Sequence, residues 1–317
     1  MVGENMINEE IILVTDSTSR KIKAGVSDTV LQNNATSFNR IYKDISQCVK
    51  GSYIYVNVKA FAREAHKLKN CVIFPMSNQL GVSEELLKVT GVCERAGLRF
   101  IGPSGTVHML CNDRSLTKMH TQELGIRSFI SVLIRNIRNK QKILFTISNL
   151  KLPLMITPNT KQYPDVKQIA FSYEQAVVLI CKLYKQYRKP VLVEEFIEDD
   201  NVEVIMVGNK NRVIFSQELR TTGIPATGEK NMFLKKSSLI SANDMRKLHT
   251  LFRSFEKIDY MQVVGKIYDG EFYLTEIISN SYLGYGSDFW YAFKENGYSM
   301  QDMFEMIIKN GLSYYTI

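Results

Sequence analysis

Short apolar runs separated by amphipathic stretches set the pattern of the first hundred residues. Ile11-Ile12-Leu13-Val14 is apolar throughout and reads as a strand buried on both faces. Ser52–Val58 reads as a second strand, Asn70–Pro75 as a third closed by its proline, and Arg99–Ile101 as a short fourth. Between them the spacing predicts helices over Ala60–Leu68 and Glu84–Ala96, the latter stopped at Gly97. Strands alternating with helices imply a parallel sheet covered on both faces. The cluster Gly102-Pro103-Ser104-Gly105 punctuates its end.

Beyond that punctuation the pattern predicts one long helix over Thr106–Leu124, stopped at Gly125. A strand at Leu154–Ile156 and a helix over Tyr173–Tyr187 follow, and then a strand at Val191–Val193 that runs into Glu194-Glu195-Phe196-Ile197. Antiparallel signals take over from there. Val202–Val207 and Val213–Phe215 are joined by the turn-rich Gly208–Asn211, and Tyr260–Ile267 and Glu271–Ile277 flank Asp269-Gly270, a hairpin signature. Ala242–Glu256 reads as a helix N-capped by Ser241; Met300–Lys309 reads as a closing helix capped by Ser299 and stopped by Asn310-Gly311. The fold class expected is α/β, turning α+β in the C-terminal part. Its three units span 1–104, 105–190 and 191–317.

Composition narrows the function classes. With 45% hydrophobic and 10% aromatic residues the chain builds cores and is not disordered. No stretch approaches the roughly 18 apolar residues of a membrane span. Acids precede the first apolar run, the reverse of a signal peptide. Five scattered cysteines without CxxC suit reduced thiols, so the expectation is a cytoplasmic protein, and four histidines without ligand spacing argue against zinc. The net charge of +8 leaves nucleic acid, acidic partners and phosphorylated small molecules open. Residues 127–151 hold Arg127, Arg135, Arg138, Lys140, Lys142 and Lys151 and no acid. The run reads as a solvated face or as a patch for phosphate or RNA. It lacks the spaced aromatics of a stacking surface, which makes nucleic acid the least favoured partner.

Four stretches, in order, resemble the ATP-grasp superfamily and within it the D-alanine–D-alanine ligases and related dipeptide ligases. They are Ile101–Ser104 followed by Asn112–Lys118, similar to a glycine turn and a D-K-x-x-T-K helix; Val191–Ile197, similar to an adenine hinge; Phe272–Ile278, similar to an L-E-x-N metal strand; and the tail from Ser279 through Gly297-Tyr298-Ser299. The resemblance covers roughly residues 70–317. It implies an ATP-grasp fold behind an N-terminal Rossmann-like, pre-ATP-grasp domain. It also implies ATP and magnesium as cofactors, a small amino-acid-like substrate, and a homodimer. Residue by residue, it assigns Lys118 to phosphate and Glu194, Glu195, Phe196 and Ile197 to adenine. It places Asn201 where the ribose-binding acid stands, Glu276 at the metal and Ser287 at the substrate.

Departures from the family pattern gather at one site. The second phosphate lysine falls on Thr157, and the glycine-rich loop becomes Asn159–Asp165 without any glycine. The shared metal aspartate falls on Val264, the arginine before it on Gln262, and the metal asparagine on Ile278, with Asn280 two places further on. Ser77–Val82 replaces the H-G-x-x-G-E-D-G stretch. Lys161, Lys167 and Lys235-Lys236 are the available substitutes for the missing cation. Two readings follow: a divergent ATP-dependent carboxylate–amine ligase working through an acyl phosphate, or a catalytically degenerate ATP-grasp protein that binds a nucleotide or a partner.

Overall fold

The computed structural model describes residues 7–14, 39–55, 58–76, 84–163, 165–198, 201–222 and 233–315. Ser77–Val82, singled out above, lies outside them.

Strand β1 (Ile7–Val14) is central in a parallel sheet of order β2-β1-β3-β4, with β2 at Val49–Tyr55, β3 at Val72–Pro75 and β4 at Arg99–Phe100. Its unbroken apolar run has a direct cause. Ile11 and Leu13 enter one core and Ile12 and Val14 another, on the opposite face. Helices α2 (Val58–Glu64) and α3 (Glu84–Ala96) cover the second face. Helix α1 (39–48) covers the first, together with the C-terminal helices α9 (Asp288–Lys294) and α10 (Met300–Leu312). The strand expected at Ser52–Val58 is shifted, since Val58 already opens α2.

The helix expected over Thr106–Leu124 is two. Helix α4 (Gly105–Asn112) is capped by Ser104, and α5 (Arg114–Glu123) is capped by Asp113, whose extended ψ of 113° breaks the run. Helices α6 (Lys140–Ile147) and α7 (Tyr173–Tyr187) then cover one face of a four-stranded antiparallel sheet of order β5-β8-β6-β7. Its strands are β5 (Ser131–Ile134), β6 (Leu154–Pro158), β7 (Gln168–Ala170) and β8 (Val191–Glu195). Val191 and Val193 enter that core, so Leu192 and Glu194 face the other way. The six basic residues of 127–151 are all exposed, which both readings of the run require.

A five-stranded antiparallel sheet completes the molecule, in the order β11-β10-β9-β12-β13. It contains β9 (Asn201–Gly208), β10 (Val213–Thr222), β11 (Phe233–Lys236), β12 (Tyr260–Tyr268) and β13 (Glu271–Ile278). Helix α8 (Ala242–Ser254) packs on the face formed by Val204, Met206, Met261 and Val263. The Asp269-Gly270 turn has φ of 52° and 74°, the two positive values a type I′ hairpin needs. Asn310-Gly311 does not stop the last helix. A Cβ at Gly311 would meet Ile101 Cδ1 at 2.6 Å and Asp259 Oδ2 at 2.8 Å, so glycine there permits a close approach inside the helix.

Candidate functional site

A bulge decides which face of β13 carries Glu276. Phe272 and Leu274 of β13 enter the core against α8, and strict alternation would send residue 276 after them. The register instead slips between Val264 and Gly265 of β12, leaving Thr275 as the extra residue. Ile277 takes the core position and Glu276 is turned to the opposite face. Glu203 of β9 and Gln262 of β12 lie on that same face, because Val202, Val204, Met261 and Val263 occupy the core side.

Helix α5 joins this sheet to the smaller one. Arg114 and Lys118 are four residues apart and share a helix face. Arg114 Nη1 is 4.0 Å from Glu276 Oε1; Lys118 Nζ is 3.5 Å from Glu194 Oε2 and donates to the Phe129 carbonyl at 3.0 Å. Glu194 is 4% exposed, so the ion pair with Lys118 is what its burial requires. A cleft of about 320 Å³ opens beside Lys118, lined also by Ser115, Ser128, Ile130, Ser131 and Leu192.

The loop after β6 docks onto the α4–α5 junction. Asn159 donates to Asp113 Oδ1 at 2.9 Å and accepts from the Ser115 N–H at 2.9 Å, while the Lys161 N–H donates to the Asn112 carbonyl at 3.0 Å. Lys161, 3% exposed, sits with its Nζ 3.7 Å from Glu276 Oε1 and donates to the Ile277 carbonyl. Burial pushes the Lys161 ammonium down in pKa against the pull of Glu276. Burial pushes the Glu276 carboxyl up, but Lys161, Arg114 and Lys167 together hold it below the usual range. Of the substitutes for the lysine missing at Thr157, Lys161 therefore lies against Glu276. Thr157 is itself buried, with an unpartnered hydroxyl. Lys236 donates to Asn296 instead.

The remaining candidates are distributed differently. Glu195 Oε1 accepts from the Lys151 N–H at 2.9 Å. The Phe196 N–H donates to the Pro153 carbonyl at 2.9 Å, so of its backbone groups only the carbonyl could serve an adenine. Ile197 is half-buried just beyond β8, and Asn201 opens β9 opposite Lys266. Ser287 N-caps α9 by accepting from the Trp290 N–H at 3.0 Å, a local structural task. Asn280 accepts from the Tyr260 hydroxyl at 3.1 Å. Arg114 is not among the residues expected from the sequence, although its i,i+4 spacing to Lys118 is visible there. Neither is Glu203. Gln262 Nε2 donates to Glu203 Oε2 at 2.6 Å and to Asp288 Oδ2 at 2.8 Å, bridging two carboxyl groups. Burial and then the Asp288 charge push Glu203 up to about 8.

Magnesium requires oxygen ligands. Glu276 faces an ammonium and a guanidinium, Val264 and Ile278 offer no side-chain oxygen, and among the described residues no cluster of three His, Cys, Asp or Glu could hold a metal. The residues present do not fit that ion.

Two antiparallel sheets facing a cleft behind a parallel sheet make up the ATP-grasp fold, and this chain has it. The chain resembles the D-alanine–D-alanine ligases. The D-alanine–D-alanine ligase of Bacillus anthracis, solved with ATP, superposes with a TM-score of 0.74 at 13% identity, covering 97% of this chain and 99% of that one. In sequence, D-alanine–D-alanine ligases of Campylobacter lari and Wigglesworthia glossinidia brevipalpis are 23% identical over 213 residues and 26% over 166. Those matches take in 61% and 50% of this chain and span about half of the relatives' length, 57% and 47%. No protein-family model matches the chain. No described helix is long and apolar enough to cross a membrane.

Proposed function

We propose that the chain is a divergent ATP-dependent carboxylate–amine ligase acting on a small amino-acid-like substrate. The observation that carries this reading is the placement of Lys118 against Glu194 and of Arg114, one turn earlier on the same helix, with Lys161 against Glu276, in a fold whose relatives are ligases. Lys118 and Lys161 would neutralise phosphate, and Glu194 with the backbone of residues 195–197 would receive adenine. In such a reaction the substrate carboxylate takes the γ-phosphoryl group, giving an acyl phosphate and ADP. An amine then displaces phosphate to form the amide. Positioning and charge stabilisation are the protein's contributions, because phosphoryl transfer offers it little covalent chemistry. Ser287 is the candidate substrate contact carried over from the resemblance. Units bounded at 104 and 190 and a homodimeric state belong to the same reading. Light scattering on the purified protein tests the dimer.

The test of activity is ADP release with pooled amino acids and ATP, beside an active control ligase. Release that depends on an amino acid supports the proposal; its absence refutes it. A second reading, a nucleotide-binding protein without turnover, is favoured by one observation: Glu276 is already engaged by two cations.

A further inference from the structure

Among the described residues, buried polar atoms without a partner occur on Arg114, beside Glu276, and on His108, near Lys161. Arg114 is 9% exposed, yet its Nε and Nη2 atoms are buried without hydrogen-bond partners; only Nη1 approaches Glu276. His108, 1% exposed, bonds Ser279 Oγ through Nδ1 at 3.1 Å and leaves Nε2 without a partner. Thr157 Oγ1 is likewise unpartnered. A buried donor left unsatisfied carries a desolvation penalty, and a guanidinium with two such donors carries a larger one. Arg114 presents a planar fork whose geometry matches phosphate or carboxylate oxygens. The ammonium of Lys161 adds a second positive charge against a single carboxylate.

We infer that Lys161 and Arg114 take the place of the divalent cation, so that the cleft binds the phosphates of an adenine nucleotide without a metal. Resting on the nucleotide-binding reading above, this specifies how that site handles charge. The family pattern has three metal-ligand positions, which fall here on Glu276, Val264 and Ile278. Here one carboxylate remains, and its work is to hold two cations in position. The net positive charge of the trio and two buried N–H groups of Arg114 that no protein acceptor satisfies are what phosphate oxygens reaching them would meet. Glu276 changes role accordingly. As a metal ligand it would favour nucleotide binding; as the counter-ion of Lys161 and Arg114 it opposes the approach of phosphate.

That reversal gives a test with opposite signs. Calorimetric titration of the full chain with ATP is run in EDTA and in excess magnesium, on the native protein, Glu276→Gln and Arg114→Met. The inference expects affinity in EDTA within about 3-fold of that in magnesium, and a fall of about 10-fold or more in Arg114→Met, the loss of a charge-assisted hydrogen bond. Glu276→Gln is expected to bind ATP in EDTA as tightly as the native chain or more tightly. The native titrations need no variant to fold, and Glu276→Gln checks the sign if Arg114→Met fails to fold. Binding that requires magnesium and is abolished by Glu276→Gln overturns the inference while leaving the ligase reading standing. No ATP binding under either condition overturns both.

Discussion

Removing the Lys161 ammonium and the Glu276 carboxylate, singly and together, measures how firmly the two are coupled. Lys161 Nζ and Arg114 Nη1 stand 3.7 and 4.0 Å from Glu276 Oε1. At an effective dielectric near 20, charges at such separations attract by about 4 kcal/mol per pair. Burial takes back much of that gain, which is why the Lys161 ammonium is driven down in pKa. The coupling remaining is on the order of 1–3 kcal/mol. Lys161→Met leaves Glu276 with Arg114, so the expected loss is about 2 kcal/mol, less than for a buried pair stripped of its whole partner. Glu276→Gln leaves two cations facing each other without an anion, and the expected loss is larger, about 3–4 kcal/mol. Urea unfolding of the native chain, both single variants and the double variant closes the cycle. Single losses that add to within about 0.5 kcal/mol would refute the coupling. The acid limb offers a second check. Because the Glu276 carboxyl lies below its ordinary value, its stabilisation is present above the unfolded carboxylate pKa and is lost as pH falls through the folded value. Glu276→Gln should flatten that limb.

Three further outcomes are expected. Glu203, pushed up to about 8, keeps a proton in the folded state that the unfolded chain releases near the usual carboxylate value. Stability should therefore fall as pH rises from about 5 to 8, by up to about 1.4 kcal/mol per unit, and Glu203→Gln should remove the slope; parallel profiles by thermal unfolding would count against it. Lys118→Met strands Glu194, which is 4% exposed, and should cost on the order of 3 kcal/mol in urea unfolding; a loss below about 1 kcal/mol would contradict the pairing. Gly311→Ala should destabilise by about 1–3 kcal/mol, because its Cβ would meet Ile101 Cδ1 and Asp259 Oδ2. An unchanged melting temperature would show that α10 shifts freely there.

The sheets were legible where burial repeats with a strand's period. Ile11–Val14 and the Asp269-Gly270 hairpin follow directly from local pattern and turn chemistry. The break at Asp113 was not legible, since the amphipathic spacing runs on through it. Only the Asn159 side chain, arriving from a distant loop, makes the cap part of a network. β7 and β11 are not legible because Gln168–Ala170 and Phe233–Lys236 are too short to show a period, and their strand character comes from the neighbours they pair with. At the cleft, the types of residue needed at Lys118, Glu194 and Glu276 could be read from order and spacing. What could not be read was which charges meet. The pairing of Glu276 with Lys161 joins residues 115 positions apart and depends on a bulge and a docked loop together.

The loss of the glycine loop and the loss of the metal ligands are physically one change. A glycine-rich loop works by bringing backbone N–H groups close to phosphate. In this chain the N–H of Asn159 goes to the Pro190 carbonyl and that of Lys161 to Asn112, so those amides are already engaged and the loop acts through a side chain. That side chain is an ammonium, and the docked backbone fixes it against β13. With Lys161 and Arg114 there, a second carboxylate at position 264, directly across from Glu276, would neutralise those cations. Valine instead lowers the local dielectric and strengthens the charges that remain. Ile278 acts in the same direction. Arg114, Lys118 and Lys161 against Glu194 and Glu276 leave these paired groups with one net positive charge, and the sign of the Glu276→Gln effect on ATP affinity follows from that arrangement rather than from any single residue.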